Sequence, residues 1–103
     1  MSKTTALPYP LIDKKVARYA KALAHPARVF ILRFLETQCS CFAGDLSEQL
    51  PIANSTVSQH LSALKEAGLI QGAINPPTIR YCINKENWNE AKLLFQELFT
   101  ECC

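Results

Sequence analysis

The stretch CSCFAGDLSEQLPIANSTVSQHLSALKEAG, from Cys39 to Gly68, constrains the fold more than any other part of this chain. It predicts a short helix over Gly44–Leu50, a tight connection and a longer helix over Asn54–Ala67. Pro51 ends the first helix, because proline lacks an N–H and disfavours helix at Leu50. In the longer helix Val57, Leu61, Leu64 and Ala67 recur with helical spacing and define one apolar face. Leu46 and Leu50 offer themselves to the same core, and Gly68 is a natural left-handed stop. The remaining surface of the longer helix carries Asn54, Ser55, Thr56, Ser58, Gln59 and His60. These are hydrogen-bonding groups with almost no net charge. Such a face suits a DNA major groove, where Ser and Thr donate to phosphates and Gln and Asn pair with adenine edges. Asn and Ser are also good N-caps, so a capping role stands beside the groove role.

The flanking sequence predicts more helices and a hairpin. Residues 1–10 carry Pro8 and Pro10 and are expected to form a flexible arm, with a single domain over 11–103. From Leu11 to about Ala24, Ile12, Val16, Tyr19, Ala20 and Leu23 share one helical face, and Lys14, Lys15, Arg18 and Lys21 the other. His25-Pro26 breaks this helix and opens the next, since proline suits a first turn. That second helix, to about Glu36, holds Val29, Phe30, Ile31, Leu32, Phe34 and Leu35, and is expected to be the central core helix. Leu69–Ala73 and Ile79–Ile83 read as strands joined by a turn at Asn75–Thr78. Lys85–Glu101 reads as a final helix with a wide apolar face of Trp88, Ala91, Leu94, Phe95, Leu98 and Phe99.

Composition narrows the function classes. A chain of 103 residues with a net charge of +2 does not announce a nucleic-acid partner. The distribution says more: residues 1–36 hold seven Lys/Arg against two Asp/Glu, while residues 37–103 hold four against seven. A basic N-terminal half can lie along phosphates or be a solvated helix face. No apolar run is long enough to span a bilayer, and MSKTTALPYP lacks an apolar signal region, so a cytoplasmic location is expected. Five cysteines, an odd number without a secretory signal, argue against a disulfide framework. No acid/base pair, activated nucleophile or glycine-rich phosphate loop is present, so the chain is not expected to be an enzyme.

Helix, helix, helix-turn-helix, hairpin, helix is the order of a winged helix-turn-helix, mostly α with a two-stranded wing. Here the residues resemble the ArsR/SmtB family of bacterial arsenical-resistance repressors, over roughly residues 11–100. Leu23-Ala24-His25-Pro26-Ala27-Arg28 looks like the family's helix-opening pattern. Asp45-Leu46, Ser55-Thr56-Val57-Ser58-Gln59-His60-Leu61 and Leu64-Lys65-Glu66-Ala67-Gly68-Leu69-Ile70 match its helix-turn-helix and the start of its wing. The resemblance implies a homodimeric repressor that binds an inverted-repeat operator on double-stranded DNA and releases it when an inducer binds. Carried over, Asn54, Ser55, Thr56, Ser58, Gln59 and His60 face the groove and Arg80 lies on the wing. The dimer interface is expected from the first and last helices, with Val16, Tyr19, Trp88, Ala91, Phe95 and Leu98.

The cysteines suggest the inducer. In several arsenic sensors of this family a Cys-x-Cys directly precedes the Asp-Leu; here Phe42, Ala43 and Gly44 intervene between Cys41 and Asp45. The family's zinc-sensing pattern in the last helix is absent, since that helix has no His. Zinc prefers four ligands, commonly Cys and His, and the only histidines are His25, beside a helix-opening proline, and His60. An all-sulfur site is therefore expected. Trivalent arsenic or a related soft ion takes three thiolates: Cys39, Cys41 and a third from Cys82, Cys102 or Cys103. No resident cofactor is required. Cys82 can equally be a half-buried strand residue, and the terminal pair a frayed tail. The alternative on the same fold is a repressor that senses thiol redox state or persulfide.

Overall fold

The computed structural model describes residues 9–38, 41–75 and 78–100. Its elements are α1 (Leu11–Ala22), α2 (Pro26–Thr37), β1 (Cys41–Phe42), α3 (Ala43–Gln49), α4 (Asn54–Ala67), β2 (Ile70–Asn75), β3 (Thr78–Ile83) and α5 (Lys85–Leu98). Five helices and an antiparallel hairpin are the architecture the sequence predicts. The α4 bounds coincide with the expected ones. Elsewhere the ends agree or move by at most three residues.

Each shift has a local cause. α1 stops at Ala22, before the expected Ala24, because His25 is extended ahead of Pro26, at φ −156° and ψ 132°. The His25 ring then caps α2, its Nδ1 accepting the Ala27 N–H at 3.0 Å. α3 runs from Ala43 to Gln49, one residue earlier than expected at each end. Asn75 and Thr78, assigned to the turn from sequence, are the last pair of the β2–β3 ladder; Pro76 and Pro77 lie outside the described residues. α5 ends at Leu98, and Glu101 lies outside the described residues. The end of α4 follows the expectation. Gly68 sits at φ +90°, its N–H bonds to Lys65 O, and the Leu69 N–H reaches back to Leu64 O.

The hairpin is not alone. β1 pairs antiparallel with β3, Cys41 opposite Tyr81 and Phe42 opposite Arg80, so the sheet order is β1-β3-β2. The segment around Cys41, expected as loop or first turn, thus lends two residues to the sheet.

The core is built from Ile31, Leu32 and Leu35 of α2, Leu46 of α3, and Val57, Leu61 and Leu64 of α4. Leu69, Ile70 and Ala91 close it. α2 is central, as expected, but Val29 and Phe30 stand on its outer side. α5 is anchored by Asn84, whose Oδ1 accepts the Asn87 N–H at 3.2 Å. The Asn87 side chain donates to Gly68 O at 2.9 Å, fixing α5 to the start of the wing.

Candidate nucleic-acid interface

α4 presents the expected polar face. Val57, Leu61 and Leu64 are fully buried, and Asn54, Ser55, Ser58 and Gln59 are exposed, with Thr56 half-buried. The N-cap is Ala53, with no side-chain cap bond, so neither Asn54 nor Ser55 takes the capping role. The Thr56 and Val57 N–H groups bond to Ala53 O at 3.0 Å, and the positive end of the helix dipole lies at this end of α4. Ser62 and Lys65, not singled out from the sequence, are exposed as well and continue the line of Ser58 and Gln59 at helical spacing. The i+3 and i+4 continuation from those residues is the signal that finds them.

His60 departs from the expectation. It is only 8% exposed and turned away from the polar face. Its Nδ1 accepts a hydrogen bond from Arg28 Nε at 3.1 Å, and its ring lies 4.4 Å from that of His25. Arg28 also donates to Ala22 O at 3.5 Å, at the end of α1. Burial, then the neighbouring His25 and Arg28, hold the His60 pKa below its ordinary value. His60 is therefore an internal contact between helices, not a groove-facing group. Arg18 from α1 reinforces the same junction by donating to Glu66 O at 2.7 Å, near the C-terminal end of α4.

Arg80 is exposed on β3, the middle strand of the sheet, with Phe42 and Ala73 opposite it. Of the cysteines, Cys41 starts β1. Cys82 is half-buried on β3 and accepts a long contact from Gln71 Nε2 at 3.7 Å. It lines a cleft of about 830 Å³ with Leu35, Gln38, Ile83 and Trp88. Cys39, Cys102 and Cys103 lie outside the described residues. Among the described residues no three His, Cys, Asp or Glu side chains gather as metal ligands.

Comparison with known proteins settles the family. Residues 25–71 match the model of the bacterial regulatory protein, arsR family. The HTH-type transcriptional regulator YgaV of Escherichia coli K12 is 33% identical over 76 residues, 74% of this chain and 77% of that protein. The chain belongs to the arsR family. A second relative, the biofilm growth-associated repressor of Agrobacterium fabrum, is 31% identical over 100 residues, 94% of this chain and 82% of that one. Among solved structures, HlyU from Vibrio cholerae N16961 superposes with a TM-score of 0.71 at 26% identity, over 90% of this chain and 100% of that one. A structure of reduced HlyU from the same organism gives 0.67 at 29% identity, over 86% and 93%. Membership of the arsR family makes this chain a DNA-binding transcriptional regulator on a winged helix fold, not an enzyme. No helix among the described residues is long and apolar enough to cross a membrane.

The six residues expected at an arsR-type dimer interface divide. Tyr19 and Ala91 are buried inside the chain itself, at 6% and 5% exposure. The Tyr19 hydroxyl donates to Glu90 Oε1 at 2.7 Å, and Lys15 Nζ reaches Glu90 Oε2 at 2.9 Å, so α1 and α5 pack on each other. Val16, Trp88 and Phe95 are half-buried. Only Leu98 stands well out, at 58% exposure, together with Leu11, Ile12, Leu93 and Phe99, which were not assigned to the interface.

Proposed function

We propose that two copies of this chain hold an inverted-repeat operator with their α4 helices in successive major grooves, and release it when a thiophilic inducer such as As(III) binds. The observation that carries the DNA half is the exposed, uncharged α4 face of Asn54, Ser55, Ser58 and Gln59, which the helix start does not use for capping. A face with so little charge draws affinity from the helix N-terminus, from nearby cations such as Arg80 and from doubling in a dimer. The exposed apolar residues Leu11 and Ile12 of α1, Leu93 and Leu98 of α5, and Phe99 just beyond it support pairing of two copies. Gln59→Ala is expected to lose about 1–3 kcal/mol of operator affinity and relax base preference. Arg80→Ala weakens binding to all sequences and flattens the salt slope. Wild-type affinity in Gln59→Ala overturns the groove assignment.

For the inducer, Cys39 and Cys41 are the first two ligands. Cys41 is paired with Tyr81 of β3, so gathering it around a soft ion pulls on the strand that carries Arg80. Cys82 follows Tyr81 and lies on the opposite face of β3 from it. The third thiolate stays open among Cys82, Cys102 and Cys103. The redox reading keeps one specific support: the likeness to HlyU, one of whose structures is of the reduced protein. Oxidant without metal, read by reversible loss of DNA binding, separates the two.

A further inference from the structure

We propose that Arg28 and His25 are positioning residues that hold the reading helix α4 through His60, and that protonating His60 releases this hold and weakens DNA binding. The proposal rests on α4 being the reading helix.

Three elements meet at one imidazole. His60 lies in the middle of α4 with its ring turned inward. Its Nδ1 accepts from Arg28 Nε at 3.1 Å, so that nitrogen carries no proton and the hydrogen of the neutral ring is on Nε2. Arg28, in the first turn of α2, also donates to Ala22 O at the end of α1. The His25 ring, fixed by the Ala27 N–H on its own Nδ1, stands 4.4 Å from His60 at an interplanar angle of 48°. Nδ1 is therefore an acceptor in both rings. One guanidinium and one imidazole thus tie α4 to both α1 and α2.

Among the described residues, the charged and titratable groups acting on the His60 ring are Arg28 and His25, not a carboxylate. From α2 and its cap, Arg28 and His25 face the ring, and Arg18 and Lys21 of α1 line the cleft next to Arg28. Glu66 of α4 lines that cleft too but is exposed, as are Asp45 and Glu48 of α3. β2, which follows α4, carries no ionisable side chain. A proton on Nδ1 sets donor against donor and cation against cation, so Arg28 must leave. α4 then keeps its apolar seat but loses the polar tie that fixes its angle. The sign is diagnostic. Added positive charge on a DNA-binding protein ordinarily tightens its grip on phosphates, whereas loss of this tie loosens it.

The test is fluorescence anisotropy at constant ionic strength between pH 8.0 and 5.5. The probe is a labelled duplex that the full chain has selected from a random-sequence pool, and far-UV circular dichroism monitors the fold. Wild-type affinity is expected to fall roughly threefold to tenfold below pH 6.5, the scale of one hydrogen bond. His60→Phe removes the acceptor and weakens binding at every pH. His60→Asn keeps an acceptor near the Nδ1 position without a titrating group, recovers most of the affinity lost in His60→Phe and abolishes the pH dependence. A wild-type affinity that is flat or rises on acidification overturns the proposal, as does a His60→Asn profile that still falls with acid. Gln59→Ala in the same assay guards the underlying reading: if it binds like wild type, α4 is not the reader and the proposal goes with it. If it weakens binding while wild type stays flat with pH, only the His60 tie is refuted.

Discussion

Arg28 Nε and His60 Nδ1 are 3.1 Å apart, and this bond joins the first turn of α2 to the middle of α4 at the edge of the core. His60 sits below its ordinary pKa of 6.5, first because it is buried and then through the electrostatic influence of His25 and Arg28 beside it. The unfolded chain therefore takes up a proton on His60 more readily than the folded one. Stability is complete above about pH 6.5 and falls as the pH drops through that value. The urea midpoint is expected to be lower at pH 5.5 than at 7.5, with a smaller difference in His60→Asn. Arg28→Ala, which leaves a buried imidazole without its partner, should cost about 1–3 kcal/mol at pH 7.5.

Tyr19 and Glu90 give a second titration of opposite sense. Burial, the hydrogen bond to Glu90 and its negative charge push the Tyr19 phenol up to about 12 from an ordinary 10.0. Its folded-state pKa is raised, so its contribution is present below pH 10 and is lost as the pH climbs toward 12. Alkaline absorbance titration should resolve a tyrosinate step near pH 12 that Tyr19→Phe removes. Glu90→Gln, which removes the neighbouring negative charge, should move that step downward.

Gly68 occupies a conformation that L side chains rarely adopt, at φ +90°, and a Cβ there would lie 2.8 Å from Asn87 Nδ2. Gly68→Ala is expected to cost about 1–2 kcal/mol from backbone strain alone. It should also disturb the Asn87 bond that holds α5 to the wing. Thermal unfolding of the variant beside Asn87→Ala measures both parts.

Cysteine variants examine the switch. Cys39→Ser and Cys41→Ser should keep DNA affinity in reducing buffer and lose release by As(III). Binding should weaken at low pH, because thiolates must form first. If both variants still release DNA at wild-type As(III) concentrations, the cysteines ahead of α3 are not the sensor.

Assembly is tested by solution mass. A single chain is 11.5 kDa, and twice that mass is expected at micromolar concentration. Phe99→Asp combined with Leu93→Asp should shift the population toward monomer, since Leu93 is exposed on α5 and Phe99 just after its end. A wild-type monomer at that concentration removes the proposed operator geometry.

Much of this protein was legible without coordinates, because its signals are local. The spacing of Val57, Leu61 and Leu64, the stop at Gly68 and the break at His25-Pro26 act within a turn or two of chain, and the sequence by itself determined α4 and the order of elements. The polar face of α4 was readable for the same reason. Tertiary structure decided what depends on distant partners. His60 is as polar as Ser58 and Gln59 and belongs to the same run; its inward-facing partners are Arg28, 32 residues away, and the His25 ring. Helical spacing marked Tyr19 and Ala91 as apolar-face residues but not what covers them, and the packing of α1 on α5 places them inside the chain. The two residues of β1 carry no periodicity of their own, and they form a strand because β3 supplies the hydrogen bonds. Periodicity identifies a face, but the neighbour against it is fixed only when the whole chain closes.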